Sequence, residues 1–292
     1  MFPEFVPVSI DHKNEMHPRL SLTPDGVSEF TFAGLYLYRK RYQYRVSKLE
    51  DKTLIISGVQ PPQGEDKAKT FFMTPCAAPG QGVLAELFKT HDYWKNIPES
   101  LLINKKARLE EWGADFAEDR NNFDYLYLRT DLAKLEGKKY HKKRNLIAQF
   151  LKSYSHAESP LAPETVPQAM SVLEQWQTGR GADSDYAECR EALELFEELN
   201  MKGLLIYIEG KPAGWCLGEP AARGRMFIIH FEKGLDQYKG IYQFINQSFA
   251  ETIPAYFSQI NREQDLGDEG LRQAKMTYRP SSFVRKYTAR LR

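Results

Sequence analysis

Apolar and polar positions change period several times along the chain. From Glu29, the stretch EFTFAGLYLYRKRYQYRVSKLEDKTLIISG alternates aromatic or branched residues with polar ones, which predicts β structure with a turn at Glu50-Asp51. KTFFMTP predicts a further strand, and from Gln81 helical spacing runs through Val83, Leu84, Leu87 and Phe88. SLLIN predicts a short buried strand, KKARLEEWG a helix and FDYLYLRT a strand. Asp131 is then placed to cap one long helix, LAKLEGKKYHKKRNLIAQFLKSY.

The segment 155–168, SHAESPLAPETVPQ, is rich in Ser and Pro and interrupts every period. It predicts a boundary between two domains, 1–158 and 159–292. Two helices follow it, the second ending near Gly203. The pattern then switches to period two. GLLIYIEGKPAGWCLGEP predicts a β-hairpin turning at Glu209-Gly210-Lys211, and RMFIIHFEK the next strand. IYQFINQSFAETI predicts a helix with Ile241, Phe244, Ile245 and Phe249 on one face. AYFSQI predicts a strand, DEGLRQAKMTY a helix and SFVRKYTARL a closing strand. The fold class is therefore α/β (α+β).

Composition narrows the class without naming a ligand. The chain has 292 residues and a formal net charge of +1, so only local patches could attract a polyanion. The N-terminus lacks the pattern of a secretion signal, and no apolar run is long enough to cross a membrane. Cys76, Cys189 and Cys216 are widely spaced with no C-x-x-C pair, which fits a reduced, cytoplasmic protein without a zinc framework. Oligomeric state is not legible.

Several clusters carry chemistry. Alternation puts His230 and Glu232 on one face of the strand from Met226 to Glu232. His230 titrates near neutrality and can take an amine proton, and Glu232 can do so if burial raises it. A core histidine satisfied by hydrogen bonds and a glutamate reaching solvent account for the same pattern. Glu263, Asp265, Asp268 and Glu269 form an acid cluster, but Leu266 and Gly267 break the oxygen spacing of a calcium loop, so no metal is expected. Glu263 and Asp265, with Asn261 before them and Arg272 after, could hold a cationic acceptor; a salt-bridged loop is the structural alternative. Lys138, Lys139, Lys142, Lys143 and Arg144 make a dense basic run that could neutralise phosphates, or be a solvated helix face. No P-loop, dinucleotide glycine motif, H-E-x-x-H or G-x-S-x-G occurs, so kinase, dehydrogenase, zincin and α/β-hydrolase readings are set aside.

Three stretches, DYLYLRTDLAKLEGKKYHKKRNLIAQF, the hairpin at 203–219 and NREQDLGDEGLRQAKMTYRP, resemble proteins with a DUF2156 domain. That group is related to the catalytic domain of phosphatidylglycerol lysyltransferases. The resemblance implies two tandem domains of the acyl-CoA N-acyltransferase (GNAT) type, an arrangement shared with Fem-type aminoacyltransferases. It implies a base on the His230 strand and Tyr278 as an acid for the leaving group. It also implies donor phosphates at the turn Gln237-Tyr-Lys239-Gly240-Ile-Tyr242, where Tyr242 replaces a small residue and weakens the case for acyl-CoA. The function implied is transfer of an acyl or aminoacyl group from coenzyme A or aminoacyl-tRNA to an amine or hydroxyl on a small molecule or lipid. The alternative is a catalytically idle GNAT-like module that binds RNA or another anion.

Overall fold

The computed structural model describes residues 1–62, 64, 67–75, 77–178, 180–181 and 184–292, so Cys76 lies outside the described residues. The chain divides into two units. Residues 1–124, 264–272 and 283–292 form the first, and residues 125–263 and 273–282 the second.

The first unit opens with β1 (Val6–Pro7), α1 (Lys13–Leu20), α2 (Phe32–Leu37), β2 (Arg45–Lys48), β3 (Leu54–Gln60) and β4 (Lys69–Met73). It continues with α3 (Gln81–Thr90), β5 (Tyr93–Pro98), α4 (Glu99–Glu111) and β6 (Ala114–Glu118). Two expectations fail here. The aromatic run 30–37 is not a strand: every residue of α2 is buried, so alternation carries no face information, and the Thr31 side chain accepts the Gly34 N–H at its start. SLLIN lies in the first half of α4, which starts directly after Pro98 and buries Leu102 and Leu109 on one helical face. Those leucines pack with Leu84 and Leu87 of α3 on Ile55, Phe72 and Trp94 of the sheet.

The second unit contains β7 (Asp124–Leu128), α5 (Arg129–Lys134), α6 (His141–Ser153), β8 (His156–Pro160), α7 (Val166–Gln177) and α8 (Tyr186–Glu194). Then come β9 (Lys202–Ile208), β10 (Lys211–Ala221), β11 (Met226–Gly234), α9 (Ile241–Thr252) and β12 (Gln259–Asn261); α10 (Glu269–Met276) and β13 (Ser282–Val284) have residues in both units, and β14 (Lys286–Leu291) lies in the first. The single long helix expected after Asp131 is two. Leu135 takes a left-handed conformation, φ 50°, and Arg144 of α6 donates to the freed carbonyls of Leu135 and Gly137. The expected boundary at 158/159 falls inside this unit, because β8 pairs antiparallel with β9. Of AYFSQI only the end is a strand, β12.

Strand order in the first sheet is β1-β2-β3-β4-β5-β14-β6, and in the second β13-β7-β12-β11-β10-β9-β8. In the first sheet β4 pairs parallel with β5, and in the second β11 pairs parallel with β12. The closing strand β14 thus belongs to the first unit, where wholly buried Lys286 pairs with Glu29 and, at 2.7 Å, with Asp124. Burial lifts the Asp124 carboxyl to about 6 against the pull of that ammonium. Cys189 and Cys216 are buried thiols, pushed up by desolvation and therefore unreactive. Among the described residues no helix is long and apolar enough to cross a membrane.

Candidate active site

The parallel pairing of β11 with β12 ends at Ile228 opposite Asn261. Beyond it β11 runs on through His230 and Glu232, while the chain after Asn261 turns aside. Glu263 makes that turn with φ 54°. Its N–H donates to Asn261 Oδ1 at 2.7 Å, and its carbonyl accepts from the Tyr125 N–H at 3.1 Å. The buried side chain of Asn261 is thereby committed to shaping the turn.

His230 is bracketed by carboxylates. Nδ1 lies 2.7 Å from Glu263 Oε1 and Nε2 lies 3.0 Å from Glu219 Oε1. Burial alone would depress the imidazole, but Glu219 and Glu263 outweigh it and lift the ring to about 10. His230 is therefore an imidazolium that donates both N–H groups and has no lone pair to take a proton. That geometry does not suit the expected role of base: both ring nitrogens are occupied, and the ring holds the Glu263 carboxylate in place. Glu263 keeps 22% of its side chain exposed, with Oε1 alone engaged by the ring.

Glu232 is engaged too, by Arg262 at 2.9 Å, so the expected alternative base is one half of an ion pair. The guanidinium carbon of Arg262 stands 4.9 Å from the Tyr278 ring centre and 6.0 Å from that of Tyr127. Tyr127 and Tyr278 meet edge to face, with centroids 6.4 Å apart. Tyr127 donates its hydroxyl to the Lys275 carbonyl at 2.8 Å, and Tyr140 to the Tyr278 carbonyl at 3.1 Å, which anchors the segment after α10. Burial raises the Tyr278 phenol, against the smaller influence of Arg262 and Gln243, so it stays protonated. From α6, Lys143 places its ammonium 4.0 Å from the same ring centre. Burial, then the charge of Arg262, pulls that amine down to about 8.

Asp265 and Arg272 do not join this group. In the first unit, Asp265 is fully buried and takes Arg272 in a two-point pair, Nε to Oδ2 at 2.9 Å and Nη2 to Oδ1 at 2.8 Å. Arg120 adds a contact at 3.2 Å and the Gly267 N–H another at 2.9 Å. Such a saturated carboxylate has no place for a substrate amine, so of the expected acceptor group Asp265 and Arg272 form a brace instead. Asp268 caps α10 through the Leu271 N–H at 2.7 Å. Among the described residues no cluster of His, Cys, Asp and Glu could hold a metal.

The expected phosphate turn has another use for its glycine. Gly240 sits at φ 93°, and a Cβ there would lie 2.7 Å from the Leu146 carbonyl and 3.2 Å from Phe150 Cβ. α6 is thus packed against the N-terminus of α9 where Gly240 admits it. Gln237 and Lys239 are exposed beside it. Tyr242 donates to the Gly234 carbonyl at 3.0 Å and accepts from Trp176 Nε1 at 3.1 Å. The basic run is also divided. Exposed Lys139 pairs with Asp131 at 2.7 Å, Arg144 holds backbone carbonyls and Lys143 lies over Tyr278, while Lys138 and Lys142 are exposed. A continuous five-residue phosphate patch is not formed.

Glu219 was not legible as a site residue, although one signal existed: an acid inside the apolar strand GWCLGEP, at a position 1% exposed. Arg262 and Tyr127 likewise enter through β12 and β7, strands far apart in sequence that pair antiparallel.

A family model described as phosphatidylglycerol lysyltransferase, C-terminal, matches residues 21–290. A crystal structure of a protein of unknown function from Bacteroides thetaiotaomicron is 28% identical, with TM-score 0.87 and full coverage of both chains. The DUF2156 domain of a lysylphosphatidylglycerol synthetase from Agrobacterium fabrum shares the fold at 13% identity and TM-score 0.65, covering 96% of this chain and 92% of that one. FemX does so at 8% identity and TM-score 0.61, covering 99% and 97%. An uncharacterized protein of Mycoplasmoides gallisepticum is 22% identical over 58% of this chain, and the match spans 56% of that relative's length. The fold, two mixed sheets flanked by helices, is that of the DUF2156 domain and of FemX.

Proposed function

We propose a specific transfer reaction from one premise: the chain belongs to the phosphatidylglycerol lysyltransferase C-terminal family. It moves an aminoacyl or acyl group onto an amine or hydroxyl acceptor, and the reacting centre lies in the second unit. The observation that supports this is the carboxylate of Glu263, fixed by the His230 imidazolium at 2.7 Å and still partly exposed, next in the chain to Arg262, which stands 4.9 Å from the Tyr278 ring centre. A carboxylate held in that way suits the ammonium of an aminoacyl group, through charge-assisted hydrogen bonds. Tyr278, kept protonated by burial, can give its proton to the departing oxygen or sulfur.

Close packing of Gly240 on α6 favours aminoacyl-tRNA over acyl-CoA, because the pyrophosphate of coenzyme A would need an open turn there. The family's name makes phosphatidylglycerol the first acceptor to try. The test supplies the purified chain with labelled aminoacyl-tRNA or labelled acyl-CoA, together with phosphatidylglycerol vesicles or a soluble amine. Label should pass from aminoacyl-tRNA to the acceptor, and Glu263→Gln should slow that passage by roughly 10²-fold or more. Consumption of neither donor, or equal rates in wild type and variant, would sink the proposal. Binding of tRNA without consumption would point instead to an idle module.

A further inference from the structure

Lys143 differs from the other cations of its helix in what it faces. Lys139 is balanced by Asp131, and Arg144 is held by two carbonyls. The half-buried ammonium of Lys143 has no carboxylate within ion-pair distance among the described residues; its contact is the Tyr278 ring, 4.0 Å from the centre. The other groups on that ring are Arg262, whose charge is paired with Glu232, and Tyr127. From α9 the facing group is the uncharged Gln243. On the preceding turn, Lys139, Asp131 and Tyr140 are bonded to one another.

We infer, resting on the transferase function proposed above, that Lys143 is the proton acceptor of the reaction. The neighbouring groups are unsuited to that task. His230 donates both of its N–H groups to carboxylates, Glu232 is in an ion pair and the Tyr278 phenol is held protonated. Lys143 stands beside Tyr278, and burial and the Arg262 charge bring it to about 8, where a useful share of the amine is neutral. Its lone pair takes the proton from the attacking hydroxyl or amine as that atom bonds to the donor's carbonyl carbon. The bond from that carbon to the donor's leaving oxygen or sulfur then breaks. The leaving atom gains a proton from Tyr278, and the Lys143 ammonium returns one to the phenolate. The net change is one acyl bond exchanged and one proton carried from acceptor to leaving group.

Two measurements test this. Reductive methylation with ¹³C-formaldehyde allows each lysine to be titrated by NMR, and Lys143 is assigned by the signal missing in Lys143→Arg. Its midpoint should fall near 8 and move upward in Arg262→Gln; a midpoint with the exposed lysines, near 10.4, overturns the inference. Rates of transfer from the donor should rise with pH to a plateau in the wild type. Lys143→Gln and Lys143→Arg should both lose roughly 10²–10⁴-fold. An arginine cannot shed its proton, so a wild-type rate in Lys143→Arg would show a mere cation and overturn this inference alone. Absence of transfer by the wild type with every donor would instead sink the transferase function itself, and this role with it.

Discussion

His230 donates Nδ1–H to Glu263 at 2.7 Å while donating Nε2–H to Glu219 at 3.0 Å, so one cation organises two acids from different strands and turns. Its charge balances the pair, and its rigidity fixes where the exposed part of Glu263 stands.

This bracket has a pH signature. The folded imidazole is raised to about 10 from an ordinary 6.5, so its contribution to stability is complete below about 6.5 and is lost as pH rises toward 10. Urea unfolding should show stability falling by about 1.4 kcal/mol per pH unit across that window. In His230→Gln the slope should flatten. An unchanged slope would mean the ring is not charged.

Asp265 should behave as a brace. Replacing it by Asn removes the buried charge that Arg272 and Arg120 share, and should cost roughly 3 kcal/mol in denaturant unfolding. The variant should keep its pattern of donors and acceptors. A change of acceptor preference with unaltered stability would return Asp265 to the substrate site.

Gly240 should matter for packing. Gly240→Ala forces a side chain into φ 93° and against the Leu146 carbonyl, and should lower stability by roughly 1–3 kcal/mol. Gly80, at the start of α3 with φ −66° and open space around it, should accept Ala with little loss. Thermal or urea unfolding of the two variants side by side decides this.

Nucleic-acid affinity, if present, should depend weakly on the basic run. With Lys138 and Lys142 as its exposed lysines beyond the Asp131 pair, the double change to Gln should reduce the slope of log affinity against log salt by about 1.5. A drop several times larger would indicate that tRNA binding rearranges α6 and frees the rest.

Lys286 tests the first unit's core. Lys286→Met leaves buried Asp124, and the part-buried Glu29 beside it, without the Lys286 cation, and should destabilise by roughly 3–5 kcal/mol at neutral pH. The deficit should shrink at pH 5, because a protonated carboxyl is less costly to bury. Unfolding curves at pH 5 and 8 measure the difference.

Much of the architecture was legible along the chain. The spacing of Ile241, Phe244, Ile245 and Phe249 identified α9, period two identified β9 to β11, and alternation put His230 and Glu232 on one face. These follow from dihedral periodicity, which a short window of sequence carries by itself. The failures share a cause as well. The residues of α2 are buried on all sides and have no polar phase to reveal their period, and the break at Leu135 depends on carbonyls rescued by Arg144 nine residues on.

The pairings of the site belong to the tertiary structure. Sequence alone supplied the strand bearing His230, the acid-rich turn and Tyr278. It offered Glu263 and Asp265 as equals, two residues apart, with Asn261 before them and Arg272 after. The left-handed turn at Glu263 sends its carboxylate to His230 while Asp265 is spent on Arg272 and Arg120. Glu232 takes Arg262, and Glu219 closes the bracket from the neighbouring strand. Charges in a buried site are matched by distance across strands, and only strand order and backbone turns determine those distances.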